Sequence, residues 1–326
     1  MKIAVVGATG LVGSRMLQVL QERGFAENEI LAAASPKSVG KQIDFAGRKL
    51  TVMSVEDAIA QHPQYAVFSA GASTSRQYAP LFAAVGCTVI DNSSCWRMHD
   101  DVPLVVPEIN MDVVTPDNRI IANPNCSTIQ MVLAVSRLHW KYRIKRMVIS
   151  TYQSITGTGI KAIRQLEAEE QGLPVETPAY INPIHRNLFP HGGDFNSDGY
   201  TTEEQKLVDE TRKILRDPDI QVSATVVRVP VVGGHSEAVN IEFCEEYDIE
   251  DVRRLIAETP GVVLCDDPAK NLYPTPVMAE GRDEVFVGRV RRDNTQPRTL
   301  NLWCVSDNLR KGAATNAIQI LQALTK

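Results

Sequence analysis

Lys2-Ile3-Ala4-Val5-Val6-Gly7-Ala8-Thr9-Gly10-Leu11-Val12-Gly13 opens the chain and decides its fold. The first five residues are an apolar run of the buried-strand type. Gly7, Gly10 and Gly13 follow at once, and Leu11, Val12, Met16, Leu17 and Leu20 then recur at helical spacing, with Gly24 placed to stop the helix. Strand, glycine turn and helix together are the opening of a dinucleotide-binding βαβ unit. The glycines let backbone amides approach a pyrophosphate at the helix N-terminus. The spacing is GxxGxxG rather than GxGxxG, and it gains its weight from following directly on an apolar strand. The expected fold class is α/β, a Rossmann-type dinucleotide-binding domain.

The next strands refine the ligand. A second strand is expected at 29–34. An NAD site would usually place an acid at its end to hold the ribose hydroxyls. This chain places Ser35, Lys37 and Ser38 there. Two hydroxyls and a cation suit a 2′-phosphate, so NADP is expected over NAD. A third strand at 65–69 runs into Ala70-Gly71-Ala72-Ser73-Thr74, a small, hydroxyl-rich turn suited to a cofactor-facing loop. A fourth ends near Ile90, and its polar continuation carries Arg97, either an anion clamp or a surface partner of Asp100 or Asp101. Extended short-chain dehydrogenases also use GATGxxG, but they need Tyr-x-x-x-Lys, and no tyrosine here has a lysine four residues on.

The chemistry centres on Ala122-Asn123-Pro124-Asn125-Cys126-Ser127-Thr128-Ile129-Gln130. Ile120 and Ile121 end a strand, Pro124 keeps Asn123 out of helical angles, and Ile129, Val132, Leu133 and Leu138 set a helical period. Cys126 therefore falls in a helix's first turn, where unpaired amides and the helix dipole favour an anion. A thiolate there is a nucleophile, and the same amides can hold an oxyanion. The polar collar of Asn123, Asn125, Ser127 and Thr128 makes a poor setting for an inert buried cysteine.

Beyond residue 140 the strands lengthen, at 146–153, 222–231, 237–244, 285–290 and 300–305, with helices at 160–171 and 203–215 between them. This is an α+β pattern with a mixed sheet. Gln153 precedes a small-residue turn that holds Gly157 and Gly159, which permit close approach of a flat ring. Arg228 precedes the turn Gly233-Gly234-His235, where His235 is expected to be exposed and mobile, with a pKa suited to proton transfer. Glu203 and Lys206 start a helix capped by Thr201 or Thr202, by default a solvated terminus. Asp307-Asn308 begins a last helix that returns to the first domain and brings Asn308 toward a nicotinamide. The expected division is 1–126 with 307–326 for the dinucleotide domain and 127–306 for the second.

Composition fits this reading. The 326 residues allow two full cores, and 44% hydrophobic with 22% charged residues is ordinary for a globular protein. A net charge of −5 argues against nucleic acid or an anionic membrane as the main partner. With a strand starting at Lys2, no leader peptide is expected. The six cysteines form no CxxC pair, which suggests a reducing, cytoplasmic setting with neither a metal centre nor a disulfide framework.

GATGLVG at 7–13, SSCWRM at 93–98, VPEIN at 106–110, NPNCSTIQM at 123–131, TYQ at 151–153, GTG at 157–159, RVPVVGGHSEAV at 228–239 and DNLRKGAATNA at 307–317 occur in one order from end to end. Together they resemble the aspartate-semialdehyde dehydrogenase family. The resemblance implies a Rossmann domain completed by the C-terminal helix and a dimer-forming catalytic domain. It implies NADPH-dependent reduction of L-aspartyl 4-phosphate to the semialdehyde, on the route to lysine, threonine, methionine and isoleucine. It assigns Cys126 as nucleophile, His235 as acid–base catalyst and Gln153 as a positioner of the acyl intermediate. Arg228 would bind the substrate carboxylate, Glu203 its ammonium, and Arg97 and Lys206 phosphate, with Asn125, beside the nucleophile, also binding substrate. The cofactor set would be Gly7, Thr9, Gly10, Leu11, Val12, Gly13, Ser35, Lys37, Ser38, Ala70, Gly71, Thr74, Gly157 and Asn308. A homodimer is expected. The alternatives are an N-acetyl-γ-glutamyl-phosphate reductase, a phosphorylating dehydrogenase of the glyceraldehyde-3-phosphate type, or a catalytically silent NADP-binding relative.

Overall fold

The computed structural model describes residues 1–326 and divides into two compact units, Met1–Asn125 with Ala313–Lys326, and Cys126–Gly312. In chain order the first unit holds β1 (Lys2–Val6), α1 (Leu11–Glu22), β2 (Glu29–Ala33), the hairpin β3 (Gln42–Phe45) and β4 (Arg48–Thr51), α2 (Val55–Ala60), β5 (Tyr65–Phe68), α3 (Ala72–Ala84), β6 (Thr88–Asp91), α4 (Pro107–Asn110) and β7 (Ile120–Ala122). The second holds α5 (Cys126–Tyr142), β8 (Ile144–Ser154), α6 (Ile160–Glu170), α7 (Thr202–Leu215), β9 (Gln221–Val229), β10 (His235–Phe243), α8 (Ile249–Ala257), β11 (Val262–Leu264), α9 (Pro276–Ala279), β12 (Val285–Arg292) and β13 (Thr299–Ser306). α10 (Thr315–Leu324) closes the chain in the first unit.

The first unit is a parallel sheet in the order β2-β1-β5-β6-β7. Its strands are buried on both faces, which is why they read as unbroken apolar runs rather than alternations. One core gathers Met16, Leu17 and Leu20 of α1 with Ala317, Ile318 and Leu321 of α10 against Ile3, Val5 and Val67. The other packs Phe82 edge-on against Phe68. The glycine turn is sterically obligatory. A Cβ on Gly7, whose φ is +89°, would lie 2.3 Å from Ser69 O, and one on Gly13 would lie 2.0 Å from Gly7 O.

The second unit is a six-stranded mixed sheet, β11-β12-β13-β10-β8-β9. α5 packs against β8, β10, β12 and β13 on one side and against α7 and α8 on the other. It is therefore buried nearly all round, including Ser127, Thr128, Gln130 and Ser136, which no apolar period marks. Asp307 to Gly312, expected with the dinucleotide domain, pack in this unit instead. Asp307 accepts from the Gly281 N–H at 2.8 Å, and Arg310 Nε donates to Asp283 at 2.8 Å. The returning helix starts only after a π-turn at Arg310–Ala314. No helix is long and apolar enough to cross a membrane.

Candidate active site

Cys126 is the first residue of α5, and from residue 121 to 136 it is the only one that is not buried. A packed helix thus leaves a half-buried cysteine at its positive end. His235 begins β10 and places Nε2 3.1 Å from Cys126 Sγ. The expectation of an exposed, mobile histidine fails: the ring is fully buried. Its strand starts two residues earlier than the sequence pattern suggests, because His235 pairs with Ser306 of β13.

The hydrogen bonds fix the state of that ring. The Ser154 N–H donates to Nδ1 at 3.0 Å, so Nδ1 carries a lone pair and the neutral imidazole holds its proton on Nε2, facing the sulfur. Burial, then the nearby Arg228 guanidinium, hold the ring's pKa well below the ordinary histidine range.

Gln153 is buried, and its Nε2 donates to Ser127 Oγ at 2.9 Å, tying β8 to the first turn of α5. Arg228, near the end of β9, is buried with Nη1 donating to Ser154 O at 2.7 Å, while its Nε has no partner in the protein. Gly157 lies against both, since a Cβ there would be 3.3 Å from Arg228 Nη1 and from His235 Nε2. Asn308 is buried beside this group and accepts from Thr156 Oγ1 at 2.9 Å, and its Nδ2 lacks a partner.

Thr201, not Thr202, caps α7 in a reciprocal capping box with Glu204. Glu204 also accepts from the Val226 N–H at 3.0 Å, so backbone amides occupy both its oxygens. Glu203, one residue earlier, instead pairs with Lys206 and keeps partial exposure. The pair is more enclosed than a plain solvated helix terminus.

In the first unit, Gly7, Thr9, Gly10, Ser35, Ala70 and Thr74 line one cleft of about 350 Å³ at the carboxyl ends of β1, β2 and β5. Gly10 caps α1 without any side-chain hydrogen bond, so the first-turn amides are left for an anion. Leu11, Val12, Gly13 and Gly71 belong to the two turns behind this wall. Ser38 is buried, 3.4 Å from Thr9 Oγ1, and Lys37 is exposed next to it. Tyr78 and Glu56 also line the cleft, joined by a 2.5 Å hydrogen bond that lowers the carboxyl's pKa. No sequence signal marked them. Arg97 is buried, donating to the carbonyls of Asn92 and Asn123 at 3.0 Å each. Asn123 is held in turn by Asn92 and Asn316, at 2.7 Å each, and this clamp carries the buried Asn125 that precedes the nucleophile.

Residues 2–115 match the family model described as the semialdehyde dehydrogenase NAD binding domain, and residues 135–311 the semialdehyde dehydrogenase dimerisation domain. The chain is 48% identical to the aspartate-semialdehyde dehydrogenase of Aquifex aeolicus, over 100% of this chain and 98% of the relative. It belongs to the aspartate-semialdehyde dehydrogenase family. The Bacillus subtilis aspartate-semialdehyde dehydrogenase is 43% identical over 99% of this chain and 97% of its own. A Vibrio cholerae aspartate-semialdehyde dehydrogenase II crystallised with ASA superposes with a TM-score of 0.95 at 43% identity, covering 99% of this chain and 98% of that one.

Three residues packed around this candidate site went unread in the sequence, and a fourth, Ser127, was read only as part of the polar collar. Ser127 and Ser154 hold Gln153 and His235 through atoms no motif distinguishes. Gly312 is needed because a Cβ there would lie 2.9 Å from the Cβ of Cys126. Glu237 shares a strand face with His235, a relation that period-two counting could have found.

Proposed function

We propose that this aspartate-semialdehyde dehydrogenase reduces L-aspartyl 4-phosphate through a thioester on Cys126, with NADPH as reductant. The observation that carries the reading is His235 Nε2 at 3.1 Å from the Sγ of Cys126, a half-buried cysteine at a helix N-terminus. The Cys126 thiolate attacks the acyl carbon, the carbon–oxygen bond to phosphate breaks, and phosphate leaves. A bound nicotinamide dinucleotide supplies the hydride that reduces the acyl group. The His235 Nε2–H, a neutral donor, stabilises first the thiolate and then the oxyanion of each tetrahedral stage. Collapse of the last one re-forms the thiolate and releases the aldehyde.

The substrate offers a carboxylate, an ammonium and a phosphoryl group. Arg228, with its buried Nε lacking a protein acceptor, suits the α-carboxylate. Glu203 suits the ammonium, since the oxygens of Glu204 are already bound by amides. Arg97 and Lys206 are assigned to the phosphoryl oxygens, Gln153 to the acyl intermediate, and Gly157 and Asn308 to the nicotinamide. The glycine cradle and uncapped α1 fit a dinucleotide pyrophosphate. Thr9, Ser35, Lys37 and Ser38 favour NADP over NAD.

The second unit leaves one sheet face uncovered. Val148, Ser150, Tyr152, Ala238, Asn240, Asn301 and Trp303 all keep exposure there, with Tyr152 and Trp303 rings 5.4 Å apart. A second copy covering this face makes the homodimer, in a cytoplasmic setting that keeps the thiols reduced. Light scattering in solution checks the dimer.

Phosphate-dependent oxidation of aspartate semialdehyde, followed by nicotinamide absorbance, tests the reaction. Turnover with NADP, much weaker with NAD and absent with N-acetylglutamate semialdehyde, is expected. The reverse substrate preference would point to the reductase of the N-acetylated substrate.

A further inference from the structure

Beneath the nucleophile lies a carboxyl group that the scheme above does not use. His235 and Glu237 stand two apart on β10, so their side chains share a face. Glu237 is fully buried. It accepts from Cys304 Sγ at 3.5 Å and also meets the side chains of Ser127 and Gln130. Ser127 follows Cys126 and receives the Gln153 amide at 2.9 Å. Gln130 Nε2 donates to the backbone carbonyl of His235 at 3.3 Å. One carboxyl therefore touches the groups that hold the nucleophile, the glutamine and the histidine.

Its protonation state follows from donors and acceptors. Glu237 Oε1 and Gln130 Oε1 are both buried without a donor. As a carboxylate, Glu237 would leave Oε1 buried with no donor, whereas a proton there removes the charge from that oxygen. None of the groups acting on Glu237 is a cation that could hold the charged form.

We propose that Glu237 is kept as the neutral carboxylic acid and serves as a positioning residue, locking Ser127, Gln153 and His235 around Cys126. Burial pushes its pKa up to about 8, in the same direction. The groups facing it are Cys304 on β13, whose thiol burial and Glu237 raise well above the ordinary range, the uncharged Thr151 opposite it on β8, and Ser127 and Gln130 on α5. His235 and Cys126 are the titratable groups beyond them. Ionisation would leave a buried carboxylate oxygen without a donor and oppose negative charge on the sulfur and the oxyanion. Activity should then fall as pH rises through about 8.

The inference rests on Cys126 as nucleophile. The test compares the full-length wild type with Glu237→Gln and Glu237→Ala by kcat against pH and by difference infrared spectroscopy. Glu237→Ala should lose about tenfold or more in kcat by leaving buried groups unpaired. Glu237→Gln, which can still donate and accept, should recover most of that loss and move the alkaline limb upward. The wild type at neutral pH should show the carbonyl stretch of a neutral carboxyl that Glu237→Gln lacks. Absence of that band, or a Glu237→Gln limb that stays in place, overturns the inference. If Glu237→Ala fails to fold, those two readings decide. Because the band does not depend on which residue attacks substrate, turnover surviving in Cys126→Ser would sink the nucleophile while leaving the band.

Discussion

The backbone N–H of Ser154 donates to Nδ1 of His235 at 3.0 Å, and this bond sets the chemistry available to the histidine. A second ring proton on Nδ1 would face that N–H, so the imidazolium is disfavoured by geometry as well as by burial and Arg228. His235 cannot take the Cys126 proton without disturbing Ser154. The proposed mechanism therefore gives it, in place of the expected acid–base role, that of a fixed donor through Nε2. Ser154 also lends its carbonyl to Arg228, so one residue orients both the group that faces the sulfur and the group proposed to face the carboxylate.

Replacing the sulfur tests the core of the reading. Cys126→Ser keeps the size and helix position but offers an oxygen that ionises poorly. Turnover should fall at least ~10³-fold, while NADPH affinity, measured by fluorescence titration, stays near wild type. Activity within tenfold of wild type would place the nucleophile elsewhere.

The frame of this site was legible in the sequence because its signals are local. The glycines at 7–13 announce their turn through spacing, and Cys126 announces its place through Pro124 and the helical period behind it. What escaped was set by tertiary contact. His235 looks exposed beside two glycines, yet pairing with Ser306 draws it into the sheet. Ser127 reads only as part of the polar collar and Gln130 carries no signal of its own, because the burial of both is set by the sheet and helices that enclose α5. The hairpin at Gln42–Thr51 went unread because its alternation, Ile43 and Phe45 with Gln42 and Asp44, spans only four residues.

Glu203 and Glu204 are neighbours in sequence with different tasks. Glu204→Gln sets an amide group against one of the two backbone N–H donors that Glu204 accepts. It should cost about 1–2 kcal/mol of stability, seen as a lower urea midpoint. Glu203→Gln should leave that midpoint in place and raise KM for aspartate semialdehyde. Equal effects of both substitutions on KM would remove the distinction.

Gly312 approaches the nucleophile from the π-turn. A methyl group there would stand 2.9 Å from the Cβ and 3.3 Å from the Cα of Cys126, so the first turn of α5 must shift. Gly312→Ala should destabilise by about 1–3 kcal/mol through overpacking and lower kcat more than it weakens NADPH binding. Wild-type kinetics in this variant would mean that the turn yields instead of the cysteine.

Acid should weaken the fold through His235. The buried ring stays neutral in the native protein, whereas in the unfolded chain it takes up a proton below its ordinary value of 6.5. Because the folded pKa is depressed, the unfolded state binds more protons in that range. The stabilisation is fully present above 6.5 and is lost progressively as pH falls below it, by up to about 1.4 kcal/mol per pH unit. His139, whose pKa burial also lowers, contributes in the same direction, so the wild-type curve alone does not isolate His235. The difference between wild type and His235→Asn does, because His139 is common to both. Urea midpoints across the acid range should show the variant losing less stability per pH unit than the wild type below 6.5. Parallel curves would mean that His235 is protonated in the folded protein after all, and the assignment of its Nε2–H as a neutral donor would fall with it.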